Sequence, residues 1–504
     1  MLTLTTSLSD SFNEYNQIVA NRDKKESSLS GACLKEQKQR FSFKRVLRKI
    51  TVEPVTFCYA CALILHAPLI QQYVYHRVSQ DHGLPSCINN DVSSCELSTE
   101  AEDSKLFQVR KDVQSMTSYI YLGIILSASL PSLVMALLLG SWSDKVGRKI
   151  VIILPVIGGL LESTCIIVTI FTRAPLYVLC VGSFMNGLCG FFTTMILAVF
   201  SYIADITEEK ERALRLGILE AVAFTSGMIS HMTSGWWIRH LGFKAPYIFI
   251  FCLHATSFLY TLFFLKDTTT RREELRFKDL FDWKHFSKVF GLFQNAVPTH
   301  KMQLYGLVLT SAFMMISNIG FGSVIVLYAL DTPFCFSPIM IGYFLADCMF
   351  MQALGAIFAL ILLQRFLSEI LLTELGIIST VSSLVTIALI TQRWQMFLVP
   401  IVGCFGGVCM PVIRARMSKL VQADQQGSLF AAVATLETLC TLFGAAIFNS
   451  LYPYSVKQLD FKGLCFLIMA ALLLIPAVII AMLGICSVKT IDKDEIDEKL
   501  HTKE

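Results

Sequence analysis

Residues Gly403 to Glu437 read GCFGGVCMPVIRARMSKLVQADQQGSLFAAVATLE. An apolar run loosened by Gly403, Gly406 and Gly407 passes Pro411 and reaches Arg414 close to where a helix would leave a bilayer. A short polar connection, Gln422 to Gly427, leads into a second apolar run that carries Glu437 about two turns inside. A charged side chain at membrane depth costs about 2.5–3.5 kcal/mol on insertion scales, so such groups turn toward a protein-lined, watered cavity. The stretch reads as half of a substrate and ion pathway in a chain otherwise built for lipid.

Composition supports that reading. The chain has 504 residues, 54% of them hydrophobic and only 16% charged, with a mean hydropathy of +0.60. A soluble chain carries about 25% charged residues, so this is an integral membrane protein. No dinucleotide fingerprint, P-loop lysine, HExxH or GxSxG occurs, which argues against an enzyme, a resident cofactor or a nucleic-acid partner. The sixteen cysteines are mostly single residues in apolar runs, where they read as small hydrophobes. Cys58 and Cys61 have CxxC spacing but fall within a predicted spanning helix, so redox or metal chemistry is not expected there.

Residues 1–50 are polar and end in Lys44, Arg45, Arg48 and Lys49. They read as a disordered cytoplasmic tail rather than a signal peptide. Runs long enough to cross a bilayer, about 20 residues each, follow at Val52–Val74, Ser118–Leu139, Ile150–Phe171, Leu176–Ile203, Leu214–Ile238 and Pro246–Leu265. After a basic segment come Gln303–Leu330, Ile339–Leu363, Ile370–Ile390, Met396–Met417, Leu429–Leu451 and Lys462–Cys486. The expectation is an all-α membrane protein of twelve helices. A six-helix half over 51–265 is followed by a central cytoplasmic loop over 266–302, a second half over 303–487 and a cytoplasmic tail over 488–504. Loops after even-numbered helices hold Lys145, Arg148 and Lys149, then Lys210, Arg212 and Arg215, then Arg365, then Arg416 and Lys419, which places both termini inside.

The long outer loop from His76 to Gln114 contains Cys87 and Cys95, and the seventh helix leads to a second outer segment ending in Cys335. In an oxidising exterior a disulfide between the halves is expected. Cys95–Cys335 is the favoured pair, with Cys87 as the alternative partner.

Between the second and third helices stands Gly140-Ser-Trp-Ser-Asp144-Lys-Val-Gly147-Arg148-Lys149. Its glycines permit a tight turn, and Asp144 and Arg148 can pair or cap neighbouring helix ends. The pattern resembles the signature loop of the major facilitator superfamily. The resemblance implies alternating access of two six-helix halves around a central site. It also makes Gly140, Asp144, Gly147 and Arg148 a conformational latch.

Parallel halves make helices five and eleven equivalents. Each enters from the cytoplasm and buries one glutamate, Glu220 and Glu437. Burial and a nearby cation move a carboxyl in opposite directions, which suits binding and release of a proton, so both are proton-coupling candidates. Glu162 and Asp347 rank second, as cavity or interhelical groups. Glu369 and Glu374 read as helix-start residues, and His66, His231 and His254 as interhelical donors.

Val52-Glu53-Pro54, Gln72-Tyr-Val-Tyr75, Ile341-Gly-Tyr343, Met410-Pro-Val-Ile-Arg414-Ala-Arg-Met-Ser-Lys419, Gln426-Gly-Ser-Leu-Phe430 and Ile447-Phe-Asn-Ser-Leu-Tyr452-Pro resemble the proton-coupled folate transporter and its relatives. The resemblance runs through nearly all of the chain after about residue 50. It implies proton symport of organic anions, with Arg414 needed for transport, Glu220 for coupling, and the outer disulfide. The substrate-binding candidates are Arg414, Asn186, Asn318 and Tyr343, since a guanidinium clamps carboxylate or phosphate.

The seventh-helix stretch Ile316-Ser-Asn318-Ile-Gly-Phe lacks the histidine that folate transporters carry, and Met185-Asn-Gly-Leu-Cys-Gly190 lacks their acid. Muropeptides, cyclic dinucleotides and lysosomal catabolites are therefore alternative cargo. The expected partners are a small organic anion, protons and the bilayer, with a homo-oligomer compatible. The expected site of action is the plasma membrane, or else an endolysosomal membrane. A proton-independent facilitator is the competing function, with Glu220 then structural.

Overall fold

The computed structural model describes residues 51–83, 103–207, 209–267, 298–421, 426–459 and 461–501; among them there is no strand. In the first half, helices one to three are Glu53–Asp81, Asp103–Val146 and Arg148–Thr172. The fourth is split into Tyr177–Leu188 and Phe191–Ile206, the fifth is Glu209–Leu241 and the sixth Lys244–Phe263. In the second half, helices seven to nine are Pro298–Leu330, Pro338–Ile361 and Glu369–Leu389. The tenth is assembled from short pieces between Arg393 and Lys419, and the last two are Gln426–Lys457 and Leu464–His501.

Eleven of these crossings are long and apolar enough to span a bilayer. The fifth helix has 33 residues, about 50 Å at the usual rise. It completes the twelve-helix pattern despite carrying Arg215, Glu220, Arg239 and His240.

Several helices run past the apolar runs that announce them. The first continues beyond Val74 to Asp81, the second begins at Asp103 inside the expected outer loop, and the twelfth passes Cys486 to reach His501. Hydropathy marks only the part in hydrocarbon, whereas helical hydrogen bonds form within the segment and carry on into water.

Two crossings are broken. In the fourth, Gly190 has φ +94° and Phe191 φ +46°, left-handed values that interrupt the helix. In the tenth, tight three-residue turns at Arg393–Leu398 and Cys404–Val408 flank the single turn Val399–Val402 before Cys409–Lys419 resumes as α-helix. The break has a sequence cause. Gly407 lies on the backbone of Gln352 and Gly403 on the side chain of Ser383, both closer than a Cβ would permit, while Pro400 gives up a backbone donor.

Within the first half, the first helix packs on the fifth and sixth, and the third on the fourth and sixth. In the second half the seventh packs on the eleventh and twelfth, the ninth on the twelfth, and the eighth on the tenth. The halves meet where the fifth helix lies along the eighth and the second along the eleventh. At the end marked by Tyr75 this seam is tight. Gln71 Nε2 donates to the Gly322 carbonyl at 3.0 Å, Ser118 Oγ to the Asn449 carbonyl at 2.9 Å, and Tyr452 Oη to Gln114 Oε1 at 3.1 Å. Lys457 and Asp112 pair at 2.8 Å. Gly235 presses on the Pro338 carbonyl and Gly342 on that of His231; small residues permit such approach between helices.

Cys335 is disulfide-bonded, and its expected partners Cys95 and Cys87 lie outside the described residues. Lys462 holds the same segment, pairing with Asp331 at 2.5 Å and donating to the Thr332 carbonyl at 2.9 Å.

Candidate functional site

The tenth helix resumes regular form at Cys409, and one turn later Arg414 points to the eleventh. Its Nη2 lies 2.5 Å from Glu437 Oε1, with the side chains 26% and 18% exposed. The two charges singled out in the sequence are thus brought together as one pair. Its partial exposure matters, because a second intramembrane pair, Arg215–Glu53 at 2.6 Å, has side chains only 1% and 9% exposed. A sealed pair has no route to a ligand; an open one can exchange its partner for an anion.

In the same half, Asn318 lines a cavity of about 100 Å³, which neither Arg414 nor Glu437 borders. Met314, Phe321 and Leu384 give it an apolar wall, and Ser317, Gln352, Thr380 and Ser383 a polar one. Its tenth-helix wall includes Gly403 and Gly406, about three and about two turns before Arg414. Drug-sized ligands occupy about 300–1,000 Å³, so in this conformation the cavity takes only part of such a molecule.

The other expected residues fall elsewhere. Asn186 does not border that cavity; its amide donates to Glu162 Oε2 at 2.6 Å, while Ser183 Oγ donates to Glu162 Oε1 at 2.5 Å. Tyr343 is 50% exposed on the eighth helix, on the same face as the exposed Phe350, Leu354 and Ile357. The backbone of Glu220 is helical, but its side chain lies outside the described residues, as do those of Gly140 and Asp144.

At the latch, Gly147 has φ +111° and sits where a Cβ would strike the Asp267 carboxylate. Arg148 Nε pairs with Asp205 Oδ2 at 3.0 Å, tying the start of the third helix to the end of the fourth.

Three features escaped sequence reasoning. Arg215, counted there among loop charges, is a fully buried side chain, because Glu53 reaches it from the first helix. The histidines also show a feature the sequence did not announce: Nδ1 of His231 and of His254 is buried without a hydrogen-bond partner. His254 packs by its ring, 5.5 Å from that of Tyr59. Last, Thr193 and Thr438 hydrogen-bond across the halves at 2.7 Å. Two threonines far apart in an apolar sequence gave no signal of this.

At the ninth helix, Ser368 is the N-cap residue and Glu369 pairs with Lys419, as helix-start residues do. Glu374, one turn on, instead has Oε2 buried without a hydrogen-bond partner.

Paired helical halves, broken fourth and tenth crossings and an intramembrane ion pair define a membrane transporter, and the chain belongs to the Major Facilitator Superfamily, which it matches over residues 54–445. Within that superfamily its place is the proton-coupled folate transporter family. It is 31% identical over 440 residues to the proton-coupled folate transporter of Rattus norvegicus, covering 87% of this chain and 93% of that protein. It is likewise 31% identical over 458 residues to the lysosomal proton-coupled steroid conjugate and bile acid symporter SLC46A3 of Homo sapiens, covering 88% and 95%. The fold aligns with the human organic anion transporter MFSD10 at a TM-score of 0.57 and 16% identity, over 85% of this chain and 97% of that one.

Proposed function

We propose that this protein is a proton-coupled symporter of an amphipathic organic anion, working by alternating access. The observation that carries the reading is the half-open Arg414–Glu437 pair, in the half that also holds a mixed apolar and polar cavity. An anionic group on the substrate replaces the carboxylate of Glu437 at the guanidinium, in the bidentate geometry that arginine favours. The apolar body then lies toward Met314, Phe321 and Leu384. Glu437, released, is free to take a proton, and Glu220 on the equivalent helix of the first half is its counterpart. The proton is the coupling ion and no other cofactor takes part.

Both named relatives support proton coupling, one with folate and one with steroid conjugates and bile acids as cargo. The apolar wall favours a steroid-like anion over folate, muropeptides or cyclic dinucleotides. The basic loops favour a cytoplasmic Arg148 end, in a plasma or endolysosomal membrane, and on that reading the tight Tyr75 seam belongs to an outward-closed conformation.

The test is uptake of radiolabelled estrone sulfate, taurocholate, folate, a muropeptide and a cyclic dinucleotide, with acid on the Tyr75 side. Uphill uptake abolished by a protonophore is expected for the steroid conjugates. Uptake that a protonophore leaves unchanged identifies a facilitator and rejects the coupling.

A further inference from the structure

A second carboxylate is built into the first half in a way the Arg414 site does not explain. Glu162, on the third helix, is buried and accepts from Ser183 Oγ at 2.5 Å and Asn186 Nδ2 at 2.6 Å. Among the described residues no lysine or arginine pairs with it, whereas Glu53 and Glu437 each face an arginine. The titratable groups that face it from other helices are Tyr59 of the first and Tyr247 of the sixth; His66, Tyr121, Cys189 and His254 lie around these two tyrosines. Cys165 on its own helix completes the set. An ionised carboxylate with only such neighbours is expensive at membrane depth.

The two partners suit both protonation states. To a carboxylate, the Ser183 hydroxyl and the Asn186 amide both donate. After one proton adds to Oε1, the new O–H donates to Ser183 Oγ, which turns its own hydrogen away, and Asn186 still donates to Oε2. One O–H bond forms, none breaks on the protein, and no buried group of the carboxyl is stranded. Space for the arrangement is reserved: a Cβ at Gly158 would strike Asn186 Oδ1 and Cys189.

The node is also linked to the other half. Asn186 lies in the last turn of the first piece of the fourth helix, Gly190 and Phe191 form its left-handed break, and Thr193, in the first turn of the second piece, bonds Thr438, the neighbour of Glu437. A change of charge at Glu162 therefore acts on one side of a hinge whose other side touches the helix that carries Glu437.

We propose that Glu162 is a proton-binding group of the first half, cradled by Ser183 and Asn186 and linked through the break in the fourth helix to the Arg414–Glu437 pair. The proposal rests on the proton-coupled reading above.

Glu162→Gln separates this role from a merely structural one. Glutamine accepts from Asn186 and donates to Ser183 in the same shape, so a structural tie survives while proton binding is lost. Two readouts apply to the full chain in liposomes: the protonated-carboxyl carbonyl band in the pH-difference infrared spectrum, and the pH profile of radiolabelled estrone sulfate uptake.

The expected result is that E162Q removes a band present in the wild type and flattens the uptake profile, while E162D retains both with a displaced midpoint. An unchanged band together with an unchanged profile in E162Q overturns the proposal. If E162Q does not fold, S183A replaces it: a displaced band supports the role and an undisplaced one rejects it. If the wild type shows no proton-driven uptake, the symport reading fails by itself and the infrared band alone decides Glu162.

Discussion

Thr193 Oγ1 and Thr438 Oγ1 stand 2.7 Å apart and join the fourth helix of one half to the eleventh of the other. The bond lies one residue from Glu437 and three from the Gly190 break, so it ties the two halves together next to both. A neutral hydrogen bond is worth about 1 kcal/mol, which corresponds to about fivefold in a conformational equilibrium. Thr438→Val should shift the population away from this conformation by that factor. Distances between spin labels at the exposed Met116 and Tyr454 read the shift; an unchanged distribution shows that the bond does not bias the halves.

Removing Arg414 breaks its ion pair with Glu437 and takes away the proposed anion clamp. Charged hydrogen bonds are worth about 1.5–3 kcal/mol, so Arg414→Ala should weaken substrate binding about tenfold to about 150-fold. Arg414→Lys should fall between, since an ammonium keeps the charge and loses the fork. The double variant R414A/E437A relieves the stranded carboxylate yet should not restore uptake. Recovery in the double variant would show that the pair serves only packing.

Gly235 and Gly342 close the Tyr75 end. A Cβ on Gly235 meets the Pro338 carbonyl and Ile339 Cα, and one on Gly342 meets the His231 carbonyl. Backbone atoms of a neighbouring helix cannot swing aside, and overpacking costs about 1–3 kcal/mol. Gly235→Ala should therefore disfavour this closed seam by about fivefold or more and slow turnover while the protein still folds. Labels at the exposed Trp236 and Tyr343 should move apart. Wild-type turnover and spacing would mean that this contact is not a gate.

Much of this molecule is legible in its sequence because a bilayer imposes a coarse rule. Apolar runs of sufficient length mark the crossings, and a charge inside a run marks a side chain that needs a polar partner, which is what makes Arg414 and Glu437 stand out. The break at Gly190 was visible only as a glycine; its left-handed φ, and Thr194 standing where a Cβ would be, are features of the folded backbone that no residue pattern prints. The Arg215–Glu53 pair was illegible because Arg215 sits among Lys210 and Arg212, where the charge pattern of a loop and that of a helix entering the membrane are the same. Asn186 was read as a ligand group, since sequence gives no sign that Glu162, 24 residues away, would claim its amide.

The Arg215–Glu53 pair should behave unlike the Arg414 site in every measurement. Pro54 opens the first helix with Glu53 in its first turn, and the fifth helix brings Arg215 Nη2 to 2.6 Å from Glu53 Oε1, with side chains 1% and 9% exposed. A buried pair adds little net stability over an apolar substitute, but removing one member strands the other and costs about 3–5 kcal/mol. Glu53→Gln should thus lower thermal stability in detergent by an amount matching about 3–5 kcal/mol, with the surviving folded fraction retaining its substrate affinity. Replacing both residues with apolar side chains of similar volume, E53L/R215M, should recover most of the loss. Size-exclusion profiles after heating, with estrone sulfate binding to the folded fraction, separate the two effects. A Glu53→Gln protein of normal stability and weakened binding would place this pair in the transport pathway and remove the distinction between sealed and open charges on which the candidate site was chosen.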